Sequence, residues 1–177
     1  MTVTITVRNI QRSILLPAAL SCQLIVSGCA STAAGVTKGI LDKLFEPDPS
    51  TIESTLLADL KVNPDINGRA SPLVTRFYEL KSLSVFNSAD FFTLYEQDVA
   101  VLGDELLARD ELRFQPGEEK QVSRELQPDT RFIGVIGAYR DIENATWRKS
   151  LEVELNAKTA FVVEFGESAI EIRKTNK

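Results

Sequence analysis

Histidine is absent from all 177 residues. That removes the commonest general base and the commonest zinc ligand. Ser-His-Asp and Cys-His chemistry are unavailable as a result. The side chains left that could act on a substrate are carboxylates. Asp90, Asp98, Asp104, Glu105, Asp110 and Glu111 fall within one stretch, and glycoside hydrolysis needs two such groups about 5–9 Å apart. These six are spread over predicted strand faces and turns, in a chain with 25 acids. Acids in that abundance are ordinarily solvated surface. Ser123 and Thr130 have no base in view. Lys149 shares an apolar face with Trp147; its amine is expected to reach water at a sheet edge, and Trp147 to be core. Asn63-Pro64-Asp65-Ile66-Asn67-Gly68 is the nearest approach to a calcium loop. It lacks the downstream glutamate such a loop needs, so it reads as a turn. No glycine-rich phosphate loop occurs. Neither cofactor nor metal nor small-molecule substrate is expected, and no enzyme activity.

The cysteines are more informative. There are two, Cys22 and Cys29, so neither can staple a domain built from later residues. Residues 1–12 carry Arg8 and Arg12 and no acid. Residues 14–26 are mostly apolar, a run suited to a signal-peptide h-region and too short to span a bilayer. The run ends in Val26-Ser27-Gly28-Cys29. This resembles the lipobox of bacterial lipoproteins: an aliphatic residue, two small residues that let a peptidase approach, and a thiol that accepts diacylglycerol. The expectation is a signal peptide over 1–28, cleavage before Cys29, and acylation of Cys29. Cys22 competes as acceptor but leaves too short an apolar run before it. Two or more acyl chains make anchoring stable. The residue after the cysteine is Ala30 and not Asp, which in lipoproteins of this kind implies the outer membrane.

Without residues 1–28 the chain holds 18 Lys and Arg against 25 Asp and Glu. An acidic domain is a poor partner for nucleic acid and for anionic lipid surfaces. Residues 29–50 are expected to form the lipidated N-terminus and a tether. Small polar residues fill 30–39, and a short amphipathic segment follows at 40–45. Residues 51–177 form the expected domain.

The elements that must position any site are mostly strands. Leu56, Ala58, Leu60 and Val62 alternate as one strand face. Residues 63–72 form a loop rich in turn formers. Residues 73–80 follow as a strand with Phe77 and Tyr78 on opposite faces. A short helix is expected over 88–96, capped by Ser88 or Asn87, with Phe91, Leu94 and Tyr95 on one side. Residues 105–114 and 120–126 flank Gln115-Pro116-Gly117-Glu118, which reads as a hairpin turn. Residues 131–140 are apolar on both faces and read as a central strand, with Gly134 and Gly137 allowing close approach. Trp147, Lys149, Leu151, Val153 and Leu155 alternate against Arg148, Ser150, Glu152 and Glu154. Strands at 160–165 and 169–174 complete about eight. Such a series argues for an all-β sandwich with one or two short helices.

A set of motifs in order then becomes specific. Ser71-Pro72-Leu73-Val74-Thr75-Arg76-Phe77-Tyr78-Glu79-Leu80-Lys81 is followed by Phe86-Asn87-Ser88-Ala89-Asp90-Phe91-Phe92-Thr93-Leu94-Tyr95. Leu102-Gly103-Asp104-Glu105, Gln115-Pro116-Gly117-Glu118, Phe132-Ile133-Gly134-Val135 and Tyr139-Arg140-Asp141 come after. From Leu57 to Trp147 the series resembles the TssJ (SciN/VasD) family, the outer-membrane lipoproteins of the type VI secretion system. The resemblance implies an eight-stranded transthyretin-like sandwich and no enzyme activity. It implies a partner, the periplasmic C-terminal part of the inner-membrane protein TssM. It also implies a contact loop between the first two strands: Asn63, Pro64, Asp65, Ile66, Asn67, Gly68, Arg69, Ala70 and Ser71. Two other readings stand beside it: a periplasmic lipoprotein that binds or cleaves envelope glycan, and a lipoprotein chaperone with an apolar cavity.

Overall fold

The computed structural model describes residues 47–175. Cys29, the apolar run before it, the tether at 30–39 and the segment 40–45 lie outside the described residues. Eight strands are present: β1 (Thr51–Ala58), β2 (Leu73–Leu80), β3 (Leu106–Phe114), β4 (Glu119–Glu125), β5 (Phe132–Gly137), β6 (Arg148–Glu152), β7 (Lys158–Phe165) and β8 (Ile170–Lys174). They form two four-stranded sheets, ordered β4-β1-β7-β8 and β3-β2-β5-β6. Neighbours are antiparallel except β1 and β7, which run parallel. Helices α1 (Ser84–Ser88) and α2 (Phe91–Leu102) and a 3-10 turn (Gly103–Glu105) connect β2 to β3. The fold is the sandwich that the strand pattern and the motifs imply.

Two apolar clusters explain the patterning. Leu56, Phe77, Phe114, Val135, Phe161 and Phe165 belong to the cluster between the sheets. Tyr78, Leu80, Phe86, Leu94 and Ile136 belong to a second, where the helices cover the outer face of the β2–β5 sheet. That sheet is therefore covered on both sides. This is why β2 and β5 are apolar at successive residues, and why Phe77 and Tyr78 are both buried on opposite faces. The other sheet keeps polar residues outside, so β1 alternates strictly. A Cβ on Gly134 would lie 2.8 Å from the Phe86 ring, so glycine is what lets the helical layer sit on β5.

Several elements differ from their sequence expectations. The first strand ends at Ala58. Asp59 turns the chain by accepting from Val62 N (3.1 Å) and, through its carboxylate, from Lys61 N (2.7 Å). Leu60 is left exposed while Val62 is buried. The second helix runs to Leu102, and its cap is Asp90, whose side chain accepts from Thr93 N at 3.0 Å. Asn87 and Ser88 belong instead to α1. Pro116-Gly117 makes the expected tight turn, with Gly117 at φ +79° and Glu118 N donating to Gln115 O. It is not a hairpin within a sheet, because β3 and β4 belong to different sheets. Leu155 lies beyond β6, half exposed before a turn at Asn156 (φ +54°). Lys149 does sit on the edge strand, half-buried and paired in register with Val135. Trp147 packs edge-on against Phe91 at 5.2 Å.

Candidate functional site

The loop from Asn63 to Ser71 is held at its base and at its tip by different residues. Asn63 is the base. It is 4% exposed and adopts φ +50°, a left-handed conformation that asparagine tolerates better than most residues. Its Nδ2 donates to Pro72 O at 2.8 Å, and its Oδ1 accepts from Arg140 N at 2.8 Å. Its own N–H donates to Glu167 O at 3.1 Å. One side chain thus joins the start of the loop, its end and the β5–β6 connection. Ser71 N closes the base on Val62 O at 3.1 Å, and Ser71 is buried.

Asp65 and Arg69 hold the tip. Asp65 Oδ1 accepts from Asn67 N (2.8 Å) and Arg69 N (3.0 Å), and its Oδ2 accepts from Arg69 Nε (2.8 Å). Asp65 N donates to Arg69 O, and Gly68, at φ +75°, donates its N–H to Asp65 O. The backbone N–H and side chain of Arg69 hold the Asp65 carboxyl below its ordinary value. Asp65 is therefore the internal staple of the loop. Between its two ends Ile66 is 99% exposed, and the Arg69 side chain is 77% exposed. Asn67 and Gly68 are exposed as well, while Pro64 and Ala70 are half-buried. Of the charged and amide side chains expected in the contact loop, Asn67 and Arg69 are exposed, while Asp65 is bonded within the loop. Ile66, an aliphatic residue in a polar loop, is the most exposed large apolar residue among those described.

Beside the loop runs an open groove of about 580 Å³. Asn63 to Ile66 form one wall, Tyr139-Arg140-Asp141 another, and Glu167 with Ser168 a third. The Tyr-Arg-Asp motif thus lies against the loop through Asn63, although 77 residues separate Arg140 from it.

Of the six carboxylates weighed for catalysis, Asp104 is exposed and the other five are otherwise engaged. Asp98 is 3% exposed, against the expectation of solvated surface. It accepts from Arg109 Nη1 (2.6 Å), Arg76 Nη1 (3.1 Å) and the Tyr78 hydroxyl (3.3 Å). Burial keeps that hydroxyl protonated by raising its pKa. The cluster sits where α2 kinks at Gln97, and Arg76 also lies 4.3 Å over the Tyr95 ring. It pins the helix to β2 and β3. Glu111 pairs with Arg76 at 2.8 Å, and Asp110 with Arg124. Asp90 caps α2, and Glu105 Oε2 accepts from Val85 N at 3.2 Å. Arg148, on the face opposite Lys149, donates to the carbonyls of Asn87 (2.7 Å) and Ala89 (2.8 Å), stacks on Trp147, and ties β6 to the end of α1. Among the described residues, no group of three or more acids or cysteines is placed to hold a metal ion. No described helix is long and apolar enough to cross a membrane.

Comparison with known proteins agrees with this architecture. No curated protein sequence matches. TssJ1, a type VI secretion lipoprotein of Pseudomonas aeruginosa, superimposes with a TM-score of 0.71 at 36% identity, over 73% of this chain and 98% of that one. Lip from Serratia marcescens, a membrane-bound component of the type VI secretion system, does so with a TM-score of 0.66 at 29% identity, over 73% and 99%. A chain of a type VI membrane complex shares the fold at 24% identity and a TM-score of 0.62, over 70% and 97%. Residues 50–168 match the family model described as type VI secretion lipoprotein, VasD, EvfM, TssJ. That span runs from the start of β1 to the turn before β8, and it includes the loop, the helices and seven of the eight strands; this chain belongs to the type VI secretion lipoprotein family.

Proposed function

We propose that the chain is an outer-membrane lipoprotein of the trans-envelope secretion complex. Cys29 carries its lipid, residues 29–50 give reach, and the loop from Asn63 to Ser71 docks the periplasmic C-terminal part of TssM. The supporting observation is the build of the loop. It is stapled by Asp65 and posted on Asn63, so its conformation is set before a partner arrives. A loop ordered in advance loses little conformational entropy on binding. It offers Ile66 as an apolar anchor with Arg69 and Asn67 beside it, the mixture from which interface hot spots are made.

Calorimetry of the full chain with a periplasmic TssM fragment tests this. Changing Asp65, Asn67 and Arg69 together to alanine is expected to weaken binding at least about tenfold, or about 1.4 kcal/mol. Ile66→Asp alone is expected to do the same without unfolding the domain, since Ile66 touches solvent throughout. Unchanged affinity in both variants would remove the loop from the interface.

A further inference from the structure

A second site lies at the opposite kind of place, inside the sandwich mouth. Strands β3 and β4 are edges of different sheets, and they diverge after the turn that joins them. Between them opens a cleft of about 230 Å³. Ile52, Leu56, Phe77, Val122, Ile133 and Phe161 give it an apolar lining. Ser54 also faces it, but its hydroxyl already donates to Val122 O at 3.3 Å. Water finds few partners on such walls, and an engineered apolar cavity of about 150 Å³ stays dry and takes benzene. This cleft is larger than that and smaller than the roughly 300 Å³ at which drug-sized sites begin.

Its rim is polar and has an unmatched donor. Arg124 of β4 reaches across to Asp110 of β3 and to the buried Glu79 carboxylate at 3.0 Å. Its two terminal nitrogens are therefore used. Its Nε is buried and has no hydrogen-bond partner. An unpaired buried donor is costly, so an oxygen delivered to it would be favoured. The charge of that oxygen follows from the neighbours. Glu79 and Asp110 already face the one guanidinium, and Glu111 stands on the same rim. A carboxylate or phosphate would meet like charge there, whereas an ester, amide or hydroxyl oxygen would not.

We propose that this cleft binds an uncharged amphiphile: one short apolar chain between the sheets, with a neutral oxygen accepting from Arg124 Nε. The site is independent of the docking loop, which lies at the β1–β2 connection.

The test is methyl-labelled NMR of the full chain, titrated with 1-octanol and separately with octanoate. Saturable shifts are expected for octanol at the methyls of Ile52, Leu56, Val122 and Ile133, with octanoate at least about tenfold weaker. Ser54→Leu and Val122→Phe each fill part of the cleft, and each is expected to weaken octanol binding while the dispersed spectrum reports an intact fold. The proposal is overturned if the cleft methyls do not move, if they move equally in both filled variants, or if octanoate binds as well as octanol. It is also overturned if only a TssM fragment moves those methyls, because the cleft would then receive a protein side chain.

Discussion

Asn63→Ala separates a post from a contact. The substitution removes two 2.8 Å hydrogen bonds, one to Pro72 O and one from Arg140 N. Each is worth about 1 kcal/mol net. It also places alanine at φ +50°, where a Cβ costs roughly 1–2 kcal/mol that asparagine partly avoids. The expected loss of stability is about 3 kcal/mol. Asn63→Gly loses the same two bonds but not the strain, at some cost in unfolded-chain entropy. It should be less damaging than alanine by roughly 0.5–1 kcal/mol. Urea unfolding of the two variants, with linear extrapolation to water, reads both quantities. TssM-fragment affinity should fall in both, because the loop loses its base, although Asn63 is almost fully covered. A change below about 0.5 kcal/mol, the ordinary effect of a surface substitution, would refute the claim that Asn63 holds the loop. Lost affinity with unchanged stability would mean that Asn63 is itself a contact.

Gly134→Ala should cost about 1–3 kcal/mol by overpacking, because the new Cβ meets the Phe86 ring at 2.8 Å and both Phe86 and Leu80 are fully buried; urea unfolding checks it. Acid should destabilise the domain through Asp65, Asp90 and Glu118. Hydrogen bonds hold each below its ordinary value, mainly from the Arg69 backbone, the Thr93 side chain and the Lys120 side chain respectively. Their unfolded forms bind protons more readily, so this stability is complete above the ordinary values of 3.8 and 4.5 and is lost as pH falls below them. Urea midpoints at pH 3 and pH 7 should differ less in Asp65→Asn and Asp90→Asn than in the wild type. Cys29→Ser should leave a domain that binds the TssM fragment in calorimetry but does not support secretion in cells; normal secretion would make the anchor dispensable.

Strand faces were legible because alternation is a local property. Leu56 and Ala58 share the buried face of β1 whatever lies next to them. The successive apolar residues of β2 and β5 announced a doubly covered sheet for the same reason. Asp98 misled because nothing near it in sequence predicts its cations. Arg76 is 22 residues away on β2, and Arg109 arrives on β3 from beyond the helix. Asp65 stands in an exposed loop, yet its carboxylate reaches four residues along to Arg69 and closes that loop, a bond its place in the sequence does not announce.

Local chemistry was therefore open to reading along the chain: the Pro116-Gly117 turn, the apolar periods, and the order of family motifs. Neighbours were not. Alternation assigns a side chain to a face but says nothing of which strand lies beside it. The parallel pairing of β1 with β7 and the separation of β3 from β4 into different sheets come from long-range packing. The same packing decided the site. Asn63 is a common loop asparagine until folding brings Arg140 to its oxygen, and Ile66 is an ordinary isoleucine until the core closes without it. Burial depends on what the rest of the chain covers, and only the folded molecule settles that.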